Sequence, residues 1–341
     1  QLLLSMKAQD AADRAIAALK ANESPVITLA NTNESFIDEF AEQGGIAVGQ
    51  AIDINFNDLL ARYLERSRIV TVRKPFGGDS ERIRLTDQDL GPMGVIAFKE
   101  AMRSIQKADF SGLPVSPIDW IRSQLGRAGY TVGEITGRGL TIDYRADGQA
   151  VLKARPGAEK SIAGRRAAIA GFNSGKVDAM ILNQSGSTGL SLHASQRVAN
   201  KKRRRMILAQ AEGNIDTHMQ MLGRVNRTGQ VNKPVYDQLV AGIPAEKRPA
   251  SILAKKMASL NANTTGARDS AVTAKDVPDF MNAYGDITAA RLMRDNPDLN
   301  WRLGEPVRLD SDDSSADGAM RKVTGRIPLL PLAEQEHLYE L

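Results

Sequence analysis

The stretch VDAMILNQSGSTGLSL, residues 177–192, joins a short run of apolar residues to a loop of glycine and small polar residues. An apolar run of this length that ends in such a loop is typical of a strand in a parallel sheet covered on both faces. Loops at the carboxyl ends of parallel strands form the ligand-binding edge of such sheets, and small residues there leave backbone N–H groups free to meet phosphates. Taken alone, the loop is equally well explained as a tight turn that needs glycine.

Predicted strands and helices alternate on both sides of this stretch. Each strand is a short run of apolar and β-branched residues, and each helix has apolar residues at three- and four-residue spacing. The other predicted strands are YTVGEIT (130–136), RRMILAQA (204–211) and KPVYDQLVA (233–241). The predicted helices are at 117–128, 159–174, 219–230 and 246–260. This alternation predicts an α/β fold, a parallel sheet with helices on both faces.

The remaining segments indicate how the chain is organised. A helix at 5–22 leads into the strand and loop SPVITLANTNES (24–35), and a hairpin is predicted to turn at Asp147-Gly148. Between about 45 and 115 turn residues separate two helical stretches, which indicates a helical insertion, and the end of the chain is irregular and acidic. We predict a leading helix or linker (1–23), a main domain (24–270) that contains the insertion, and a C-terminal extension (271–341).

Composition narrows the class of protein. The 341 residues carry a net charge of +5 and have a pI near 9.3, which is compatible with a polyanionic partner. Cysteine is absent, which excludes disulfides, thiolate metal sites and a cysteine nucleophile, and three scattered histidines argue against a metal site. No apolar run is long enough to span a membrane, so we expect a cytoplasmic protein. Because the chain begins at Gln1, we expect a piece of a longer polypeptide.

The stretch MQMLGRVNRTGQ, residues 219–230, contains two arginines and a glutamine in the order Q-x-x-G-R-x-x-R. If the stretch is helical, Gln220, Arg224 and Arg227 project within about 60° of one another and reach a common target. Guanidinium forks suit phosphate oxygens. The alternative is a helix whose arginines are simply solvated, which is the usual situation for charged surface residues.

Four stretches together resemble the second RecA-like lobe of superfamily 2 helicases in their order and spacing. They are VITLANT (26–32), GEITGR (133–138), SGSTGLSL (185–192) and QMLGRVNRTGQ (220–230). More narrowly, residues 24–270 without the insertion are similar to the C-terminal helicase domain of Strawberry notch-like proteins, including prokaryotic and phage-borne relatives. The chain departs from that family at SLNANTTGAR (259–268), where a leucine-glycine-alanine-leucine run is more usual.

The resemblance implies a role for particular residues. Arg227 would be an arginine finger, Arg224 its partner at the γ-phosphate, Gln220 a link between nucleotide and lobe movement, and Gly189 a residue near the nucleotide. The residues that would meet the sugar-phosphate backbone of a nucleic acid are Thr32, Gly137, Arg138, Ser187 and Thr188. An arginine supplied from a second lobe contributes roughly 10³ to 10⁵ in phosphoryl-transfer rate.

The sequence lacks the motifs that would hold ATP by itself. GFNSGKV (171–177) imitates a P-loop, but it has one residue too few between its glycines and valine in place of the Mg²⁺-binding Ser or Thr. No aspartate-glutamate pair ends an apolar strand as a Walker B motif would. We therefore expect ATP and Mg²⁺ to be held mainly by an N-terminal RecA-like lobe, and we expect this chain alone to be inactive.

The sequence leaves one motif and the final function open. RVANKKRRR (197–205) is equally well explained as a nucleic-acid patch or as a solvated approach to a strand. The leading hypothesis is the C-terminal motor lobe of a nucleic-acid-dependent ATPase, a helicase or translocase, with DNA favoured over RNA as its partner. The alternative is a non-catalytic, helicase-like module that docks nucleic acid or protein.

Overall fold

The computed structural model describes residues 2–32, 34–72, 80–183, 190–210, 214–264, 279–308 and 316–340. The chain divides into two compact units. The first comprises Gln1–Ala8, Thr32–Ser123 and Arg138–Gly157, and the second comprises Gln9–Asn31, Gln124–Gly137 and Ala158–Leu341. Among the described residues, no helix combines the length and apolar character that crossing a membrane requires.

The secondary structure alternates along most of the chain. The strands are β1 (Ser24–Leu29), β2 (Ile69–Val72), β3 (Glu81–Arg84), β4 (Val132–Ile135), β5 (Leu140–Tyr144), β6 (Ala150–Ala154), β7 (Ala179–Asn183), β8 (Arg204–Leu208) and β9 (Val235–Gln238). The helices are α1 (Leu2–Met6), α2 (Ala8–Lys20), α3 (Glu34–Gly44), α4 (Phe56–Arg66), α5 (Asp87–Lys107), α6 (Pro117–Arg127), α7 (Gly157–Lys160), α8 (Ile162–Ser174), α9 (Ile215–Leu222), α10 (Pro244–Thr264), α11 (Ala283–Asp295), α12 (Pro297–Arg302), α13 (Ala319–Thr324) and α14 (Leu332–Glu340), with a 3₁₀ turn at Ile327–Leu329.

A five-stranded parallel sheet organises the second unit. Its strand order is β4-β7-β1-β8-β9, and each pair of neighbours is parallel. All residues of β1 and of β7 are buried, as expected for central strands covered on both faces. The prediction of an α/β, RecA-like parallel sheet with helices around it is confirmed.

The core of the second unit lies between this sheet and its helices. Val26, Met180 and Met206 of three adjacent strands are completely buried and belong to one apolar cluster with Phe172 of α8. Helix α8 begins at its cap Ser161, whose side chain accepts from the Gly164 amide, and ends at Gly175 in the left-handed conformation (φ 84°). The cluster fixes the strands whose carboxyl ends form the candidate site.

The first unit contains the predicted hairpin and the insertion. β5 and β6 pair antiparallel around the Asp147-Gly148 turn, which confirms that prediction. Within the insertion the structure has α4, α5 and an antiparallel hairpin of β2 and β3, which the sequence did not predict. These strands have only four residues each and are largely exposed, so they lack the apolar alternation that marks a half-buried strand.

The C-terminal extension differs from the irregular segment that the sequence indicated. Its described residues form helices α11 to α14 around a separate apolar cluster that includes Ala289, Ala290 and Met293. These three residues share one face of α11. Their helical spacing is present in the sequence, but the acidic, serine-rich stretch at 310–317 favours an irregular segment.

Candidate functional site

The carboxyl ends of the parallel strands form one edge of the sheet, where α/β proteins bind ligands. At the end of the central strand β1, the Oε1 atom of Gln210 accepts hydrogen bonds from the amides of Ala30 (3.2 Å) and Asn31 (3.1 Å). The Ala209 amide also donates to Thr28 O at 3.0 Å. The side chain of Gln210, two residues beyond β8, thus fixes the direction in which the chain leaves β1.

Helix α9 is shorter than the sequence predicted. It begins at its cap Asn214, whose Oδ1 accepts from the Thr217 amide at 3.2 Å, and it ends at Leu222 with Gly223 as the C-terminal cap. The prediction of one helix over 219–230 was wrong, and Arg224 and Arg227 lie beyond its end. The chain leaves the helix where Val225 turns inward to join the buried core, and Gly223 at the helix end keeps a right-handed conformation (φ −63°, ψ −9°).

The two arginines nevertheless converge on one atom. Arg224 Nη1 lies 3.4 Å from Leu190 O, and Arg227 Nη2 lies 3.0 Å from the same oxygen. Arg227 Nε also donates to Gly223 O at 3.2 Å. Gln220 is exposed on the last turn of α9. The convergence therefore comes from a turn, residues 223–230, which we call the arginine turn, rather than from a helix face.

Backbone hydrogen bonds hold the arginine turn against residues 190–195, which we call the strap. The Leu192 amide donates to Arg224 O at 2.9 Å, and the Val231 amide donates to Ala194 O at 2.7 Å. Within the turn, Gln230 accepts from the Arg227 amide (3.1 Å) through Oε1 and donates to Asn226 Oδ1 (2.9 Å) through Nε2. The two arginines thus project from a backbone that is fixed on both sides.

The charges of the two arginines are not neutralised where the structure describes their surroundings. Their hydrogen bonds go to neutral carbonyl oxygens, and Arg224 Nε is buried with no hydrogen-bond partner among the described residues. Burial lowers the pKa of Arg224, and the charge of Arg227 lowers it further. A cluster of this kind attracts an anion, and forked guanidinium groups match phosphate or carboxylate oxygens.

Arg138, which the resemblance assigns to a nucleic acid, is fully buried in the first unit. Its Nη1 and Nη2 donate to the two carboxylate oxygens of Asp119 at 2.7 and 2.6 Å. The carboxylate also accepts from Ser116 Oγ (2.6 Å) and from the Ile142 amide (2.7 Å). A bidentate, buried guanidinium reaches a phosphate only if this pair opens.

The other predicted nucleic-acid residues have different surroundings. Gly137 is exposed just after β4, where Thr136 donates a short hydrogen bond to Glu134. Thr32 is partly exposed after Asn31. Ser187, Thr188 and the nucleotide residue Gly189 lie outside the described residues. Their assignments therefore remain predictions.

Comparison with known families gives this arrangement a context. Residues 116–300, more than half of the chain, match the family described as the C-terminal domain on Strawberry notch homologue. The chain belongs to this family. The match covers β4, β7, β8 and β9 and the whole arginine turn, so the candidate site lies largely in a lobe of the helicase type.

Strawberry notch relatives from several organisms are similar to the chain. Protein strawberry notch homolog 2 of Mus musculus is 32% identical over 215 residues, which is 60% of this chain and 16% of the mouse protein. Protein strawberry notch of Drosophila melanogaster is 31% identical over 203 residues (58% and 12%), and Protein FORGETTER 1 of Arabidopsis thaliana is 32% identical over 166 residues (46% and 12%). The chain thus spans a small part of each relative.

In this Strawberry notch-type lobe, the basic run 197–205 serves more than one purpose. Arg204 is buried, whereas Arg205 pairs with Glu23 (2.5 Å) and Asp237 (2.9 Å). Lys201 Nζ donates to Ser195 O at 3.0 Å. Arg197, Lys202 and Arg203 are exposed. Three of the six basic side chains are therefore used within the fold, and the remaining three lie at the surface.

The P-loop imitation at 171–177 forms the end of a helix. Its first residues are the last turn of α8, Gly175 caps that helix, and Val177 leads into β7. A phosphate-binding P-loop precedes a helix and presents the amino-terminal N–H groups to the anion. Here the loop follows the carbonyl end of the helix, which carries the opposite partial charge.

Several residues that shape the site were missed in the sequence. Gln210, Gln230 and Tyr236 contact backbone atoms of the site, and Tyr236 OH lies 3.4 Å from Leu222 O at the end of α9. Gln210 was detectable as a polar side chain directly after a buried strand at the ligand-binding edge. For Gln230 and Tyr236 the sequence has no comparable signal, because their partners are backbone atoms and an asparagine in a turn.

The pKa of His193 depends in part on the positive charge of the arginine turn. Its Nδ1 lies 2.6 Å from Ser191 Oγ. Burial lowers the pKa of His193, and the charges of Arg227 and Arg204 lower it further. We expect Arg227→Ala to raise the pKa of His193, because a nearby positive charge that disfavours the imidazolium is removed. An NMR titration of the His193 ring proton measures the change.

The control for this titration is Arg291→Ala, because Arg291 is 83% exposed on α11 and pairs with Asp295. That substitution is expected to leave the His193 midpoint where it is in the unchanged protein. Identical His193 midpoints in the Arg227→Ala and unchanged proteins would mean that the two side chains are not neighbours in solution.

Proposed function

We propose that this chain is the C-terminal motor lobe of an ATP-dependent nucleic-acid helicase or translocase. The observation that carries the proposal is the convergence of Arg224 and Arg227 on Leu190 O. Both guanidinium groups rest on a neutral carbonyl, which is a weaker partner than a phosphate oxygen. Phosphate binding would therefore draw them away from the strap at little cost.

In this proposal Arg227 is the arginine finger and Arg224 its partner at the γ-phosphate. Gln220 links the nucleotide to lobe movement, and Gly189 lies near the nucleotide. ATP supplies the γ-phosphoryl group whose transfer to water drives the cycle. The described residues contain no group of three or more His, Asp or Glu side chains that could hold a metal ion. We assign ATP and Mg²⁺ mainly to a partner RecA-like lobe that carries the Walker motifs.

The proposal places a nucleic-acid strand along Thr32, Gly137, Ser187 and Thr188, with DNA favoured over RNA. Basic residues clearly outnumber acidic ones over residues 158–264, which suits a polyanion. The exposed Arg197 and Arg203 contribute to this excess. We leave Arg138 out of the proposed contact surface, because its guanidinium is enclosed and occupied by Asp119.

A titration of labelled DNA separates the motor from the alternative, a non-catalytic docking module. We expect ATP to change the DNA affinity of a protein that contains both lobes by about fivefold or more, because nucleotide and nucleic acid share one closing cleft. The affinity of this chain alone should respond to salt but not to ATP. An affinity that ATP does not change in the two-lobe protein would favour the docking module.

ATP hydrolysis by this chain alone is a second test of the proposed function. We expect none, because the proposal assigns ATP to the partner lobe. The matched variant is Lys176→Ala in the P-loop imitation. DNA-stimulated hydrolysis by the isolated chain that disappears in this variant would contradict the assignment.

A further inference from the structure

Arg204, the first residue of β8, has an unusual environment for an arginine. It is 0% exposed, and its guanidinium bonds three backbone carbonyls: Nε to Leu192 O (2.8 Å), Nη1 to Lys202 O (3.0 Å) and Nη2 to Asn200 O (3.0 Å). Its Cζ lies 4.7 Å from the centroid of the Phe172 ring. Burial lowers the pKa of Arg204 to about 10, so the group remains charged at neutral pH.

Burying a charge is costly, and backbone carbonyls compensate for it only when the geometry is good. An apolar side chain of similar length would fill the same space without that cost. The arrangement is therefore explained best by what the guanidinium connects. It joins the strap at Leu192 to Asn200 and Lys202. These two residues lie just before β8, which neighbours the central strand β1.

Leu192 links Arg204 directly to the arginine turn. Its carbonyl accepts from Arg204 Nε (2.8 Å), while its amide donates to Arg224 O (2.9 Å). Two residues earlier, Leu190 O accepts from both Arg224 and Arg227. The strap thus contacts Arg224 and Arg227 through Leu190 and the buried Arg204 through Leu192.

We propose that Arg204 is a positioning residue that fixes the strap and thereby sets where Arg224 and Arg227 converge. This inference rests on the proposed function only for its consequence, the placement of an arginine finger. The placement of the strap itself is a property of the folded chain. The ring face of Phe172 packs against the Arg204 guanidinium in a cation–π contact.

Hydrogen exchange in the chain alone tests the positioning role independently of any activity. Arg204→Lys keeps the charge but replaces three donor nitrogens spaced around a planar guanidinium by a single ammonium nitrogen, which cannot occupy all three donor positions. We expect exchange at the Leu192 amide to become about tenfold faster or more, relative to Ile207 at the centre of the sheet. The control is Arg205→Lys, the next residue on β8, whose partners are Glu23 and Asp237. Equal exchange at Leu192 in the two variants would overturn the proposal.

A second variant covers the case in which Arg204→Lys does not fold. Phe172→Leu removes the ring beneath the guanidinium but keeps a buried apolar side chain. We expect exchange at Leu192, again relative to Ile207, to rise by a smaller factor of about threefold. Exchange at Leu192 that is unchanged in a folded Phe172→Leu protein would also contradict the proposal.

Turnover measurements then test the consequence. In a two-lobe protein, Arg204→Lys is expected to lower kcat by roughly 10- to 100-fold, with KM for ATP within about twofold, because a misplaced finger affects the transition state more than binding. Added to Arg227→Ala, the same substitution should have little further effect. Additive losses would overturn the proposed connection. If the unchanged protein shows no turnover, the proposed function fails, while the exchange comparison still decides whether Arg204 positions the strap.

Discussion

Replacing Arg227 by alanine is expected to lower DNA-stimulated ATP turnover of a two-lobe protein by about 10³-fold or more, with little change in DNA affinity. The physical reason is that the finger acts on charge that develops in the transition state, when the γ-phosphoryl group is being transferred. In the structure the side chain is exposed and held by two neutral carbonyls, Leu190 O and Gly223 O. Removing it should leave the fold of the arginine turn intact, since Gln230 and the strap hold its backbone.

Two further variants sharpen this test. Arg227→Lys keeps one charge but loses the planar fork, so it should restore only a small part of the lost turnover. Arg291→Ala removes an arginine that is 83% exposed in the C-terminal helices and should leave turnover unchanged. A loss of tenfold or less in Arg227→Ala would count against the finger, whereas a parallel loss of DNA affinity would point to a nucleic-acid contact instead.

The arginine turn illustrates what sequence could and could not predict. The order of strands and helices was predictable, because buried parallel strands such as β1 and β7 are nearly continuous apolar runs. The sequence predicts a common target for Gln220, Arg224 and Arg227, whereas the structure shows Arg224 and Arg227 converging on Leu190 O. The predicted helix face would align all three side chains, whereas the turn that follows α9 brings the two arginines together.

The residues that sequence missed act through the backbone. Arg204 looked like one member of a surface run of basic residues, but it is buried against Phe172 and three carbonyls. The sequence places Gln230 at the end of a predicted helix, but its side chain accepts a hydrogen bond from the Arg227 amide in a turn. Backbone carbonyls and amides are present at every position, so a sequence pattern cannot tell which of them a side chain will bind.

Arg138 is the case in which a family resemblance and local geometry differ, and stability measurements can separate them. We expect Asp119→Ala to lower the free energy of unfolding of the first unit by about 3–5 kcal/mol, because it leaves a buried guanidinium without its carboxylate. The carboxylate also accepts from Ser116 Oγ and the Ile142 amide, and those groups lose their partner too. Urea unfolding measures the change.

The fluorescence of Trp120 is a suitable probe for this unfolding, because its ring packs edge-on against Tyr144 of the same unit, with centroids 5.4 Å apart. Trp301→Phe removes the signal of the other tryptophan, which is 72% exposed. The matched control is Asp143→Ala, which breaks the largely exposed ion pair with Lys153 across the β5–β6 hairpin. We expect it to lower the free energy of unfolding by about 0–1 kcal/mol. Equal losses of unfolding free energy in the two variants would mean that the buried ion pair stabilises the unit no more than the exposed pair does.

The double variant Asp119→Leu with Arg138→Met then decides what Arg138 is for. Replacing a buried ion pair by apolar side chains of similar volume is often neutral or stabilising, so we expect the double variant to recover most of the stability lost in Asp119→Ala. If Arg138 serves only the fold, the refolded double variant should bind DNA as the unchanged protein does and with the same salt dependence. If Arg138 meets a phosphate, as the resemblance implies, its loss should weaken DNA binding and reduce the salt slope by about one counterion.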